Sequence, residues 1–298
     1  MMSTLRLLRF ILMVISGVCG TFFNCSIVGL NFRFWRDITI SGSYKKILFV
    51  IGLVNIFMQG ILIFEGIFDT LPFGRDQTRL LLIMTLEFAL FGVSIWSTTW
   101  LSMFCCLRLL NSSHWLFLKI RVKFFSWLSY LIVASALVSL AINLPIFWTT
   151  TLDNPYNTSE FTNMSGQRIT VDYYYMIFSL VFSFSFPFSM TCVSIGLSVS
   201  TLLRHIWRIS NSDSHLTSAQ LQGHHQAVRT MVIRVVVDFL FFLIIVIGIA
   251  NSSILNSLAY SLLWMIIVTY PTSQAFILIF GNPKLRSGVW GVLKALGK

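Results

Sequence analysis

The sequence predicts an all-α membrane protein, a bundle of seven transmembrane helices. Hydrophobic residues make up 56% of the 298 residues and charged residues only 10%, whereas soluble domains carry about a quarter charged residues. The mean hydropathy is +0.81. Seven apolar runs are each long enough to cross ~30 Å of hydrocarbon as a helix, and none shows the alternation of a transmembrane strand. The runs lie at approximately 8–31, 46–68, 80–107, 124–147, 173–203, 230–250 and 255–280.

The distribution of basic residues predicts how the bundle is oriented. Of the 21 lysines and arginines, 16 fall after the first, third and fifth runs and in the tail, and five on the opposite side. Basic loops are retained in the cytoplasm, so the N-terminus is expected to be extracellular and the C-terminus cytoplasmic. Topology and contact with acidic membrane lipid then explain the net charge of +11, without nucleic acid. Residues 1–283 form the predicted seven-transmembrane domain, and residues 284–298 a short basic cytoplasmic tail, expected to be a membrane-surface helix.

A single carboxylate, Glu87, lies in the otherwise uncharged stretch IMTLEFALFGVSIW at 83–96. An unmet charge at that depth costs roughly 2.5 kcal/mol or more, which argues against a side chain that faces lipid. Three interpretations remain open. The carboxylate is a counterion for cationic ligands, or it bonds within the chain to Arg79 or to polar atoms of the sixth or seventh helix. Alternatively it is protonated, because removal from water favours the neutral form.

Two long polar connections join the runs. The outer one, residues 148–172, contains N-glycosylation sequons at Asn157 and Asn163. The inner one, residues 205–230, contains four histidines that pair with no cysteine or carboxylate at ligand spacing, so no metal site and no cofactor is predicted. All five cysteines fall inside predicted helices, which favours buried free thiols over disulfides.

The sequence carries no enzyme motif. We find no H-E-x-x-H, no nucleophile elbow, no paired intramembrane aspartates and no phosphate-binding glycine loop. A membrane transporter remains an alternative, but an odd number of helices without a repeat between the halves fits inverted-repeat transporters poorly. Seven helices with an outside N-terminus and a basic inner face are typical of a receptor.

Several motifs narrow the class of receptor. The third run ends SIWSTTWLSMFCCLRLLNSSHWLFLKIR at 94–121, and this stretch resembles the third helix of the bitter taste receptor family, type 2. Four other places are similar to the family's fifth, sixth and seventh helices. They are PF at 187–188, RH at 204–205, HHQAVRTMV at 224–232 and YPTSQAFILIFGNPKLR at 270–286. The chain is identified as a member of this family, with type 1 vomeronasal-like pheromone receptors as the nearest alternative.

The resemblance implies a multi-pass G protein-coupled receptor of the plasma membrane that detects small bitter-type agonists. It implies a partner as well, a heterotrimeric G protein of the inhibitory, gustducin-like class. Agonists of the family enter a cavity in the outer half of the bundle, bounded by helices two, three, five, six and seven. The residues expected to bind them are Glu87, Phe88, Phe91, Ser94, Tyr174, Tyr260, Trp264 and Ile267. The residues expected to dock the G protein are Arg108, Lys119, Arg204, His205, His224, Arg229 and Lys284, although positive-inside anchoring also explains some of them.

The chain departs from the family pattern at two places. Where the family's second helix carries an arginine that packs near Asn24 of the first helix, this chain has Asn55. An Asn24–Asn55 hydrogen bond is expected to replace that interaction. In the sixth helix, Arg234 and Asp238 stand at i and i+4, where an intrahelical ion pair would neutralise both; a switch is the alternative role. Three further residues, Trp96, Pro187 and Pro271, are expected to be structural, the prolines as kinks or hinges.

Overall fold

The chain folds into a bundle of long helices. The computed structural model describes residues 2–33, 42–70, 77–110, 115–153, 168–210, 218–250 and 257–296. Within these ranges, seven helices are long and apolar enough to cross a membrane, as the hydropathy predicts. We call the end of the bundle that carries the short strands "outer" and the end that carries the last helix "inner", following the predicted topology. The orientation of the termini itself stays a prediction.

The first four spans are continuous helices. Most of them extend about a turn beyond the apolar run, because polar residues near the membrane surface continue the helix. The fourth is the exception, since it ends at Asn143, four residues before the predicted limit, and Pro145 begins a separate helix of one turn. These elements are α1 (Met2–Arg33), α2 (Gly42–Thr70), α3 (Gln77–Leu109), α4 (Trp115–Asn143) and the one-turn α5 (Ile146–Thr149).

The fifth span has three parts, α6 (Tyr173–Ser179), a π-helical segment (Leu180–Ser185) and α7 (Phe186–Ser210). In the π segment the Phe186 N–H donates to the carbonyl of Val181, five residues earlier. Pro187 follows and has no N–H, so a carbonyl of the preceding turn loses its usual donor. The distortion expected at Pro187 therefore takes the form of a π segment immediately before the proline.

The sixth span is α8 (Ser218–Ala250), and the seventh consists of α9 (Ser257–Val268) and α10 (Tyr270–Gly281). The seventh span breaks at Thr269, and Pro271 stands in the first turn of α10, where a missing N–H costs little. The Val268 carbonyl lies directly before the break. The hydroxyl of Ser16 on α1 donates to this carbonyl at 2.9 Å, so a neighbouring helix satisfies the backbone.

A final helix, α11 (Pro283–Leu296), forms where the sequence predicts a helical tail. It is anchored to the inner end of α1: a Cβ built on Gly288 would lie 2.7 Å from the Leu30 side chain. Its buried side chains, Leu285 and Val289, join the inner hydrophobic core. The position of α11 at a membrane surface stays a prediction.

Two short strands form within the outer connection, which the sequence predicts only as a polar loop between helices of the all-α bundle. β1 (Thr150–Asp153) pairs antiparallel with β2 (Arg168–Val171), with Thr150 opposite Val171. Strands of four residues carry too little alternation to be recognised, and their pairing joins segments far apart in the chain. Asn157 and Asn163 lie outside the described residues, so glycosylation stays a prediction.

Buried apolar side chains form an inner and an outer core cluster. The inner cluster contains Phe104 and Trp100, and Trp100 stacks on Trp96 with ring centroids 5.5 Å apart. The outer cluster contains Phe91 and Trp264. Because lipid is as apolar as these side chains, close packing and interhelical hydrogen bonds hold such a bundle together. Trp96 is buried in the inner cluster, and its structural role stays a prediction.

All five cysteines are free, as expected. The expectation that they are buried is only partly right, because Cys19, Cys25 and Cys192 are exposed on the bundle surface. Cys106 is buried and Cys105 half-buried. Hydropathy identifies a span but does not show which of its faces packs inward, so the burial of a single thiol is not predictable from it.

Candidate functional site

A cavity of about 90 Å³ lies between the third, fourth, fifth and sixth spans in the outer half of the bundle. Its wall is mostly apolar and aromatic, with a few polar groups, including Asn143, Thr150 and Ser183. Ligand pockets usually measure roughly 300–1,000 Å³. A bound molecule of ordinary size therefore requires the aromatic walls to move apart.

Two of the predicted ligand-binding residues, Phe88 and Phe91, line this cavity. The predicted Tyr174 does not: its side chain is 81% exposed on the outside of the bundle. The next residue, Tyr175, lines the cavity instead, and its hydroxyl donates to the carbonyl of Ile142 at 3.1 Å. Three successive tyrosines begin α6, and sequence alone does not show which faces inward. The first turn is fixed by its cap, in which Asp172 accepts from the Tyr175 N–H.

Three other predicted ligand residues pack beside the cavity without lining it. Ser94 is fully buried and its hydroxyl lies 3.4 Å from the Tyr270 hydroxyl. Trp264 belongs to the outer core cluster, and Ile267 packs against that cluster. The side chain of Tyr260 lies outside the described residues. The lining residues come from the third to sixth spans and the outer connection; among the described residues none of them lies on the second or seventh span, both of which the family resemblance places in the wall.

Glu87 also lies outside the cavity wall and meets a second carboxyl group. Its carboxyl is within hydrogen-bonding reach of Glu65 on α2. The indole N–H of Trp264 donates to Glu65 at 3.4 Å, and the guanidinium of Arg9 lies 4.5 Å from the centre of the Trp264 ring. These four residues, which we call the acidic pair site, join the first, second, third and seventh spans.

The partner of Glu87 in the structure is thus Glu65, which is not among the predicted partners. A usable signal existed, because Glu65 also interrupts an apolar run. Two carboxyl groups in contact repel each other when both are charged, so such a pair needs a shared proton or a nearby cation. Of the three interpretations, a neutral Glu87 and a cation-binding Glu87 both remain compatible with this geometry.

The predicted hydrogen bond between Asn24 and Asn55 is present. The Asn55 side-chain amide donates to the Asn24 side-chain oxygen at 3.1 Å, and both residues are fully buried. The Asn24 amide in turn donates to the Pro271 carbonyl at 3.3 Å. This amide pair therefore connects the first, second and seventh spans without the charge that the family carries on its second helix.

The predicted ion pair between Arg234 and Asp238 is present but loose, with 4.0 Å between Nε and the nearer carboxylate oxygen. Both residues also contact other helices. The Arg234 Nε–H donates to the Thr98 hydroxyl at 2.8 Å on the third span. On the seventh span the Tyr270 hydroxyl donates to Asp238 at 3.1 Å, and the Gln274 amide donates to the same carboxylate. An intrahelical pair alone is therefore an incomplete description.

Basic side chains lie exposed at the inner ends of several spans. They include Arg108 on α3, Arg204 on α7 and Arg229 on α8. Lys119 on α4 and Lys284 on α11 are exposed as well. The predicted docking histidines, His205 and His224, have side chains outside those described. Exposed charges at helix ends suit both membrane anchoring and an acidic protein partner.

Within the described residues, no three histidine, cysteine, aspartate or glutamate side chains come together as ligands would.

Seven apolar helices, an outer cavity with aromatic walls and a basic inner end define the class of protein, a multi-pass membrane receptor. The family model described as "Taste receptor protein (TAS2R)" matches residues 1–296. The gorilla protein named taste receptor type 2 member 41 is 31% identical over 68% of this chain and 67% of its own length. The mouse protein of that name is 26% identical over 96% and 94%, and chicken taste receptor type 2 member 40 is 23% identical over 95% and 93%. The chain belongs to the type 2 taste receptor family, which is a family of receptors and not of enzymes.

Proposed function

We propose that the chain detects small bitter-type molecules in the outer cavity and activates a heterotrimeric G protein at its inner end. In this proposal it resides in the plasma membrane with its N-terminus outside. The G protein is of the inhibitory, gustducin-like class that the family resemblance implies. The alternative of a vomeronasal-like receptor is set aside because the taste receptor family covers residues 1–296.

One observation carries this proposal. The third, fifth and sixth spans wall the cavity, and the same three spans carry Arg108, Arg204 and Arg229 at their inner ends. Phe184 of the fifth span and Phe242 of the sixth stack directly against each other in the cavity wall, with ring centroids 3.3 Å apart. A ligand that separates these rings changes how the two spans pack. The inner ends would respond because packed helices move as units.

Signalling then follows from differential affinity. A ligand that needs a wider cavity binds the wider arrangement more tightly and shifts the population toward it. If that arrangement also presents the basic inner ends to an acidic partner, ligand and G protein stabilise each other's binding.

The direct test is a compound screen in cells that express the chain with a promiscuous G protein, with calcium release as the readout. We expect responses to some small amphipathic compounds that vanish in cells lacking the coupled G protein. A compound flux that persists without any G protein would indicate the alternative function, a transporter.

Glu87 does not line the cavity, so replacing it by glutamine should weaken only those amine agonists whose cationic group reaches the acidic pair site. The change keeps the shape and a hydrogen-bonding group but removes the negative charge that attracts a cation. A charge-assisted hydrogen bond contributes about 1.5–3 kcal/mol, so we expect a loss of potency of roughly tenfold to a hundredfold for these amines. Dose–response curves for paired amine and neutral agonists measure it. An equal loss for both agonist types would reject the counterion role.

Replacing Arg229 by alanine should reduce signalling without reducing ligand affinity. Arg229 is exposed at the inner end of the sixth span. The cavity-lining Phe242 and Val246 lie several turns further along the same helix, toward its outer end. Loss of one charged contact at the rim of an interface mainly slows association. We expect a lower maximal response in cells, with unchanged binding of a labelled agonist to the purified chain in the absence of G protein. Arg286→Ala on α11 is the matched control, and a normal response from Arg229→Ala would remove this residue from the docking surface.

A further inference from the structure

The buried groups around Arg234 and Asp238 link three helices in the middle of the bundle. Arg234 is 2% exposed and Asp238 3%. Their partners are Thr98 on the third span and Tyr270 and Gln274 on the seventh, all of them buried. We call these five residues the buried network. A salt bridge needed only to neutralise two charges within one helix would not require these interhelical contacts.

Within the buried network the Asp238 carboxylate is hydrogen-bonded, whereas the guanidinium of Arg234 is only partly so. The carboxylate accepts from two side chains of the seventh span. By contrast, neither terminal nitrogen of Arg234 has a hydrogen-bond partner within the described part of the chain. Buried guanidinium donors without acceptors are unfavourable, because they have lost their bonds to water. A modest movement of the sixth span could therefore give the terminal nitrogens of Arg234 hydrogen-bond acceptors that they lack in this arrangement. This is expected if the side chain has two alternative positions.

Tyr270 connects the buried network to the ligand cavity. Its ring packs against Phe91, with centroids 5.0 Å apart, and Phe91 lines the cavity. The ring also packs edge-on against Phe241 of the sixth span, with centroids 4.9 Å apart. Its hydroxyl donates to Asp238. A displacement of Phe91 by a ligand thus acts on the residue that holds Asp238 in place.

We infer that the buried network is a latch that holds the inner half of the sixth span against the third and seventh spans in the resting receptor. Ligand in the cavity releases it by moving Phe91 and Tyr270. Once free of Asp238, Arg234 satisfies its terminal nitrogens with water that enters the opened inner end. The inference rests on the proposed receptor function, and it makes Thr98, Tyr270, Arg234 and Asp238 positioning residues that touch neither ligand nor G protein.

Two conservative variants test the latch without creating an unpaired charge. Tyr270→Phe keeps the ring contacts and removes only the hydroxyl that holds Asp238. Thr98→Val removes the hydroxyl that accepts from Arg234 and that donates to the Ser94 carbonyl of its own helix. The matched control is Ser97→Ala, one residue earlier on the third span, because the Ser97 hydroxyl is also buried but bonds only the Val93 carbonyl of its own helix.

At equal surface density, both latch variants should signal without agonist about fivefold more than wild type, and agonist potency should rise by a similar factor. That factor is the change in an equilibrium constant that one buried hydrogen bond typically makes. Ser97→Ala should behave as wild type. A general loss of structure would lower signalling, so increased basal activity separates a latch from a merely structural role.

Hydrogen–deuterium exchange on the purified full chain in lipid nanodiscs supplies a readout that needs no G protein. Peptides from the inner half of α8 should exchange faster in both latch variants than in Ser97→Ala. If wild type never signals but both latch variants still exchange faster than Ser97→Ala, the latch is supported and the proposed function is refuted. Basal signalling and exchange equal to those of Ser97→Ala, or faster exchange with reduced signalling, would overturn the latch.

Discussion

Replacing Ser183 by phenylalanine is expected to abolish the response to agonists while leaving the receptor folded. Ser183 is half-buried in the π segment and lines the outer cavity, and its hydroxyl has no hydrogen-bond partner within the described residues. The cavity is small, about 90 Å³, and a phenyl ring at this position of its wall would project into it. It would therefore occupy the space and stack on the surrounding aromatic rings, which removes the volume that a ligand needs.

The expected loss of potency is at least about a hundredfold, since a filled site must first expel a packed ring at a cost of about 3 kcal/mol or more. Dose–response curves for any agonist found in the screen measure it, together with surface expression. The matched control is Ser185→Phe in the same segment, because Ser185 does not line the cavity and bonds only the Leu180 carbonyl. Full potency of Ser183→Phe at normal surface density would place the ligand elsewhere.

Replacing Arg234 by alanine is expected to destabilise the folded chain by about 3–5 kcal/mol, the usual effect of removing one partner of a buried ion pair. The substitution leaves Asp238 buried without its cationic partner, although Tyr270 and Gln274 of the seventh span still donate to it. It also leaves the Thr98 hydroxyl without its interhelical donor. The measurement is the thermal unfolding midpoint of purified protein in detergent, supported by surface expression in cells.

The double substitution Arg234→Met with Asp238→Leu separates charge from packing. Replacing both charges by apolar groups of similar size is often nearly neutral, so this variant should recover most of the lost stability. A double variant as unstable as Arg234→Ala would show that the two residues contribute through packing and not as a pair. An unfolding midpoint of Arg234→Ala equal to that of wild type would contradict the buried position of the pair.

Hydropathy predicted the number of spans and their approximate limits, because a run of about 20 apolar residues has few stable environments outside a membrane. The prolines predicted interruptions near Pro187 and Pro271, but not their form, a π segment and a break at Thr269. Both depend on which side chains of other helices, such as Ser16 on α1, are available to satisfy backbone groups. The pairing of β1 with β2 also escaped prediction, since it depends on contacts between distant segments.

The site was predictable where two residues occupy corresponding depths in adjacent helices. The Asn24–Asn55 bond is the example, because a substitution on the second helix pointed to a partner on the first. The Glu87–Glu65 contact was missed because the relative rotation of α2 and α3 decides it, and a single sequence does not give that rotation. The same reason explains why the sequence suggested Tyr174 as a ligand residue although Tyr175 lines the cavity. Neighbouring residues on a helix point about 100° apart, and the rotation of the helix decides which one faces inward.

The π segment in the fifth span affects how this receptor is aligned with its relatives. In a π-helix each residue adds less length and less rotation than in an α-helix. The six-residue segment therefore contains one residue more than an α-helix would need to span the same distance. Compared with a relative that lacks it, positions before Leu180 are offset by one, and Tyr175 would be matched with the wrong counterpart. An alignment of ligand-contacting positions should therefore include a one-residue gap between Ser179 and Phe186.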